Sequence, residues 1–315
     1  MNIRTFQRGD EEAQAAIYNE AAGDLPRFKP ASAQEVTRRA AAADFDPSMR
    51  FYAIENGKPV AYAVFNPNGR VSYPWCRKGH EQLAVPLFDH MMQAMAQRGF
   101  RKAFAAYRGD WPVVLDFLRG RGFAVAREMV SFVIELVSMP TMPSRPSGMI
   151  TPVERRDVPA LFALAPKMLR SANAEELERH LFANPYFPAD SVFVLRSRSG
   201  GAALAAGILV HQMGYANPKA VDASMPCFRL GAFGTEGMQV KRINGMFSFL
   251  CRDDAQCGGM ASDLLSHAAH LLQESDDIAV LGAQVPSDVP NLLRYYQMTW
   301  SRQGSFPVLE INLPR

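Results

Sequence analysis

At 315 residues the chain is about twice the length of a common single domain, so two domains are expected. Its 48% hydrophobic and 21% charged residues exclude wholesale disorder, and a net charge of only +3 excludes a dedicated nucleic-acid binder. No apolar run is long enough to span a bilayer, the opening MNIRTFQRGDEEAQ has no apolar signal core, and four sparse cysteines show neither zinc spacing nor a disulfide framework. A soluble cytoplasmic protein is expected, with no metal and no membrane or nucleic-acid partner.

In chain order, Ile3 to Asp10 (IRTFQRGD) reads as a short strand followed by an acidic helix cap before EEAQAAIYNEAA. From Phe51, FYAIENGKPVAYAVF alternates around Asn56-Gly57, a hairpin signal. An amphipathic helix near EQLAVPLFDHMMQAMAQ, a strand, a short helix near PVVLDFLRGRG and the alternating strand Ser131 to Leu136 close the first half. The stretch 139–148, MPTMPSRPSG, has no periodicity and reads as a linker.

Beyond it the order repeats. Ile150 to Asp157 (ITPVERRD) lines up with Ile3 to Asp10, and VFVLRSRSGGAALAAGILV forms a second hairpin around Gly200-Gly201. Helices near MASDLLSHAAHLLQES and NLLRYYQMT follow, and Val308 to Leu313 closes the second half. The expectation is an internal duplication of one α/β domain, spanning 1–138 and 149–315, each a mixed sheet covered by helices on both faces.

The segment Phe247 to Leu265, FSFLCRDDAQCGGMASDLL, runs from an apolar strand through a polar turn and two glycines into an amphipathic helix. That arrangement holds phosphate: free backbone N–H groups face outward, the helix dipole favours an anion, and glycine admits a close ligand. The same residues would also serve as an ordinary tight turn.

The run Gln256-Cys257-Gly258-Gly259-Met260-Ala261 fits Q/R-x-x-G-x-G/A and resembles the acetyl-CoA loop of the GNAT superfamily of N-acetyltransferases. Cys251 ends the strand five residues before Gln256, as in the family's V-x-P-x-x-R lead-in, with Asp253 at the proline position. Ile278 to Val285 reads as the next strand, and DVPNLLRYYQMTW resembles N-x-x-A-x-x-x-Y-x-x-x-G-F. Asp288, Tyr295, Thr299 and Trp300 take the asparagine, tyrosine, glycine and aromatic positions. In the first half Pro74 to Arg77 keep P-x-x-R, but His80 and Gln82 replace the small residues and Glu81 would repel a pyrophosphate. Phe117 and Leu118 stand near its tyrosine position, so the first half reads as a non-catalytic repeat, a known arrangement among tandem GNAT proteins.

The resemblance implies two tandem GNAT-like domains, each a mixed, mainly antiparallel sheet flanked by helices. The second would bind acetyl-CoA as co-substrate in a splay between neighbouring strands and pass the acetyl group to a primary amine of a small molecule. It assigns cofactor binding to Phe249, Leu250, Cys251, Gln256, Cys257, Gly258, Gly259, Met260, Ala261 and Asp288, with backbone N–H around Leu250 and Cys251 polarising the thioester carbonyl. Tyr295 would protonate the departing thiolate, with Tyr296 the alternative in a shifted register, and Glu236 is the carboxylate chosen as base. Each tyrosine also fits a packed core aromatic, and Glu236 a solvated turn residue.

Cys257, inside the loop, lacks the base partner a nucleophile needs. His211 ends a hairpin strand, while His267 and His270 share a helix without a third ligand for a metal. Residues 213–242 have no counterpart of their length in the first half and read as a substrate-side flap, a mobile excursion or a dimer contact. The rival to an enzyme is a non-catalytic acyl-CoA-binding or sensor protein that kept the loop and lost the acid and base.

Overall fold

The computed structural model describes residues 2–41, 45–139, 147–165, 168, 171, 173–182, 191–199, 201–210, 245–273 and 280–314. They fall into two compact units, residues 1–126 with 307–315, and residues 127–306.

In the first unit β1 (Asn2–Thr5) leads into α1 (Asp10–Ala22) and α2 (Ala33–Ala40), followed by β2 (Arg50–Glu55), β3 (Lys58–Val64) and β4 (Trp75–Cys76). Next come α3 (Ala84–Gln97), β5 (Lys102–Ala106) and α4 (Pro112–Gly120). The sheet β1-β2-β3-β4 is antiparallel throughout. Its hairpin turns on Asn56 and Gly57 with φ of 51° and 74°, the left-handed pair that a two-residue turn matched to strand twist requires. Ile17 of α1, Leu87 and Met91 of α3 and Leu118 of α4 are fully buried in one core with Tyr52 and Ala61 of the sheet.

The second unit takes β6 (Ala124–Glu135) from Arg127 onward. It continues with β7 (Met149–Pro152), α5 (Val158–Leu164), α6 (Ala174–Phe182), β8 (Val192–Arg196), β9 (Ala203–Val210) and β10 (Gly245–Cys251). Then follow α7 (Cys257–Leu272), β11 (Val280–Pro286), α8 (Pro290–Thr299) and β12 (Ser301–Asn312), which leaves this unit after Phe306. Strand order is β7-β8-β9-β10-β11-β6, antiparallel except for the parallel pair β10 and β11. The apolar face expected of α7 is buried at Met260, Ala261, Leu264, Leu265, Ala268 and Leu272.

The units differ from the expected division at 1–138 and 149–315, because the closing strands are exchanged. β11 pairs with β6 from Val280↔Glu135 to Pro286↔Met129, and β5 pairs with the end of β12 from Lys102↔Asn312 to Ala106↔Val308. Alternation along a strand specifies which face is buried and says nothing about which neighbour it pairs with. The linker expectation at 139–148 falls mostly on residues outside the described set. Its end is anchored where Ser147 N–H donates to Asp263 Oδ2 at 2.8 Å.

The duplicated opening survives in three dimensions, with one correction. Asp10 is the first residue of α1, and its carboxylate turns back to accept Gln7 N–H at 2.7 Å and both Arg4 nitrogens at 2.6 and 2.8 Å. Asp157 likewise accepts Glu154 N–H at 2.8 Å and both Arg196 nitrogens at 2.6 and 2.7 Å. Neither carboxylate caps its helix; a nearby guanidinium is the stronger partner. Burial opposes ionisation of both, but the arginine and N–H bonds outweigh it and hold each below the usual carboxylate range.

Candidate active site

The two parallel strands of the second unit are joined only where they begin, at Gly245↔Leu281 and Met246↔Gly282. From Phe247 onward β10 keeps its ladder to β9 as far as Cys251↔Ala205, while β11 keeps its own to β6. The strands therefore part, and alternate residues of 247–251 present backbone N–H and C=O groups to the gap.

A tight turn leads from the end of β10 into α7. Asp254 holds it, accepting Gln256 N–H on its side chain at 2.9 Å and Cys257 N–H on its carbonyl at 3.1 Å. Met260 N–H then opens the helix by donating to Gln256 O at 3.2 Å. Between them the N–H groups of Gly258 and Gly259 have no acceptor among the described residues. Neither glycine has a positive φ, and a Cβ on Gly259 would meet nothing within 4 Å. The turn's own packing therefore does not require glycine at 259, whereas two free N–H groups on an open helix start do fit an anion.

Asp253, at the position where the resembling motif carries proline, has a distinct task. Its Oδ1 accepts Asn291 N–H at 2.9 Å and Leu292 N–H at 3.2 Å, capping α8 from the turn after β10. No local sequence signal could have announced a cap whose helix starts almost forty residues later. Asp288, also before α8, lies 3.7 Å from Arg127 Nη1.

Tyr295 borders the glycine pair. A Cβ at Gly258 would sit 3.8 Å from its ring, and its ring meets Phe249 edge-on at 5.7 Å. The Tyr295 hydroxyl is buried without a hydrogen-bond partner among the described residues. Burial pushes its pKa up to about 12, opposed more weakly by Ser262, Thr299 and Trp300 nearby. Tyr296 also meets Phe249 at 5.7 Å, but its ring stacks on Phe132 at 5.3 Å, and burial pushes its hydroxyl, without a partner among the described residues, well above the usual range. The Trp300 indole N–H is a third buried donor without a partner among the described residues.

The side chains of Phe249, Leu250 and Cys251 are all buried, which leaves their backbone as the part facing the gap. Cys251 and Cys257 meet beneath the turn with sulfurs 2.9 Å apart. Sharing a proton with Cys257, and then burial, push the Cys251 thiol far above its usual range. Of the histidines, His267 packs edge-on to Phe193 at 4.7 Å with its pKa lowered by burial, a core role, and His270 is exposed. Glu236, His211 and the flap 213–242 lie outside the described residues. Among the described residues no His, Cys, Asp or Glu cluster suits a metal ion, and no helix is long and apolar enough to cross a membrane.

The first unit has the same gap in closed form. β4 and β5 share no ladder among the described residues, and β5 is tied by a parallel bridge between Arg70 and Phe104 just before β4. Here the Tyr107 hydroxyl accepts Tyr73 N–H at 2.6 Å, and Trp75 lies edge-on to Tyr73 and Trp111 at 4.9 and 6.3 Å. The loop's donors are also occupied: Lys78 N–H donates to Glu20 at 2.9 Å and Gly79 N–H to Glu81 at 3.0 Å.

No protein family model and no curated protein matches the chain. Solved structures do. A GCN5-related N-acetyltransferase from Sphaerobacter thermophilus superposes at a TM-score of 0.65 and 14% identity, over 100% of this chain and 96% of that one. A tandem GNAT protein from the clavulanic acid biosynthesis pathway follows at 0.59 and 11%, over 100% and 99%. The chain has a tandem GNAT fold. A GCN5-related N-acetyltransferase from Anabaena variabilis, at 0.57 and 8% over 99% and 73%, shares the GNAT fold too. At such identities the likeness is one of fold, and the splayed β10 and β11 with the glycine-led α7 are the parts of that fold available for chemistry here.

Proposed function

We propose that the second unit is an N-acetyltransferase, moving an acetyl group from acetyl-CoA to a primary amine of a small molecule in the cytoplasm. One juxtaposition carries this reading: the parted strands β10 and β11 end at a helix start whose Gly258 and Gly259 N–H groups have no acceptor among the described residues, beside the ring of Tyr295. Acetyl-CoA supplies an activated thioester. Gly258 and Gly259 donate to its pyrophosphate, framed by Gln256, Cys257, Met260 and Ala261, with Asp288 at the edge of the site. The backbone of Phe249, Leu250 and Cys251 lines the thioester and polarises its carbonyl. Tyr295, protonated at neutral pH because burial holds its pKa at about 12, gives its proton to the thiolate that leaves. Glu236 is the proposed base, and a second copy of the chain remains a candidate partner through residues 213–242.

A second reading, an acyl-CoA-binding sensor, is favoured by one observation. The Tyr295 hydroxyl lies near Ser262, Thr299 and Trp300, in the seam between α7 and α8. Release of the coenzyme A thiol from acetyl-CoA, followed across a panel of primary amines, separates the two. The enzyme reading expects amine-dependent release that drops by about a hundredfold in Tyr295→Phe with acetyl-CoA affinity retained. Binding without release by the wild type favours the sensor, and absence of binding sinks both.

A further inference from the structure

Cys251 closes β10 and Cys257 opens α7, so the pair brackets the turn whose glycines carry the free N–H groups. Their sulfurs are 2.9 Å apart, and both side chains are buried with no other cysteine among the described residues joined to either. Closing from 2.9 Å to a disulfide bond of about 2.05 Å asks for a movement of about 0.9 Å. The two thiols are inequivalent. Cys257 occupies the first position of α7, where the helix dipole favours negative charge, while Cys251 sits at the end of β10.

We propose that Cys251 and Cys257 form a thiol–disulfide pair that gates the anion-binding turn, oxidised by a small-molecule disulfide of the glutathione class. The Cys257 thiolate attacks one sulfur of that disulfide, breaking its S–S bond, releasing one thiolate and leaving a mixed disulfide on Cys257. Cys251, giving its proton to the departing thiolate, then attacks the Cys257 sulfur and expels a second thiolate, which takes from solvent the proton that Cys257 gave up. The sum is one protein dithiol and one small disulfide giving one protein disulfide and two small thiols. The new bond draws Cys257 toward the strand end and re-aims the adjoining Gly258 and Gly259 N–H groups. Resting on the acetyl-CoA reading above, it follows that oxidation weakens acetyl-CoA binding by about tenfold. Reciprocally, bound acetyl-CoA favours the dithiol and raises its midpoint potential by about 30 mV.

The full chain is equilibrated in glutathione buffers of graded potential, quenched by alkylation and digested with trypsin, which cuts after Arg252 between the two cysteines. The expected product under oxidising conditions is peptide 243–252 disulfide-linked to peptide 253–294, lighter by two hydrogens than the two free peptides. It is absent in Cys257→Ala and unchanged in Cys76→Ala. Failure of the linked peptide to form in folded protein overturns the pair outright. The same titration with acetyl-CoA present reads the coupling, and an unmoved midpoint in protein that binds acetyl-CoA overturns the gating. Should the reduced protein bind no acetyl-CoA, the acetyl-CoA reading and its gating fall together, while the linked peptide still decides whether the pair is redox-active.

Discussion

The two units hold the same splayed strands, yet only one presents its backbone donors to an incoming anion. In the first, Lys78 and Gly79 N–H are answered by Glu20 and Glu81, and the gap between β4 and β5 is spanned by the Tyr107 hydroxyl on Tyr73 N–H. In the second, Asp254 satisfies the turn and stops short of the glycines, leaving Gly258 and Gly259 N–H without an acceptor among the described residues. The lesson is electrostatic: a phosphate-binding turn is silenced by supplying its anion from within as readily as by losing its glycines.

Four outcomes sharpen or break this comparison. The largest concerns the duplicated anchor, where Asp157 is almost wholly buried against Arg196 and Asp10 sits against the more exposed Arg4. Arg196→Met strands a buried carboxylate and should cost about 3–5 kcal/mol in urea unfolding, whereas Arg4→Met should cost about 1–3 kcal/mol. Equal losses would mean that the two anchors are not distinguished by burial.

Next is Asp253→Ala, which removes the cap on α8 and should cost about 1 kcal/mol. The same variant should weaken acetyl-CoA binding, since Asp253 ties the turn after β10 to the helix carrying Tyr295; an unchanged unfolding midpoint would remove the cap from the account.

Acid should then erode both units. Asp10 and Asp157 are held below the usual carboxylate range when folded, so their contribution is full above about pH 4, the range of an unfolded aspartate. It is lost as pH falls through the depressed folded values. Urea midpoints that rise on going from pH 5 to pH 3 would contradict the sign.

The smallest effect belongs to Glu81, fully exposed and ionised more readily because it accepts its own N–H and that of Gly79. Glu81→Ala frees the Gly79 N–H in the first unit but leaves Trp75 and Tyr107 in its gap, so no second acetyl-CoA site should appear in equilibrium binding.

The order of elements, the repeat of Ile3 to Asp10 at Ile150 to Asp157 and the glycine-led helix were legible in the sequence, because periodicity and turn residues are local signals. Partners far along the chain were not. Ser131 to Leu136 and Val308 to Leu313 alternate in the same way, and nothing in either run says that it pairs with a strand from the other half of the sequence. Asp253 looks like a broken motif until Asn291 and Leu292 are seen to need its carboxylate. The aspartates at 10 and 157 read as helix caps because the arginines that claim them, at 4 and 196, stand at unlike offsets.

The central claim is that one loop of the two takes a pyrophosphate, and calorimetric titration of acetyl-CoA into the wild type and Gly259→Glu tests it most directly. A Cβ at 259 has open space, so the variant should stay folded by circular dichroism. The account predicts one acetyl-CoA per wild-type chain and a loss of about a hundredfold or more in affinity in the variant, where a carboxylate meets the helix start instead of the ligand. Wild-type affinity retained in Gly259→Glu, or two molecules bound per chain, would contradict it.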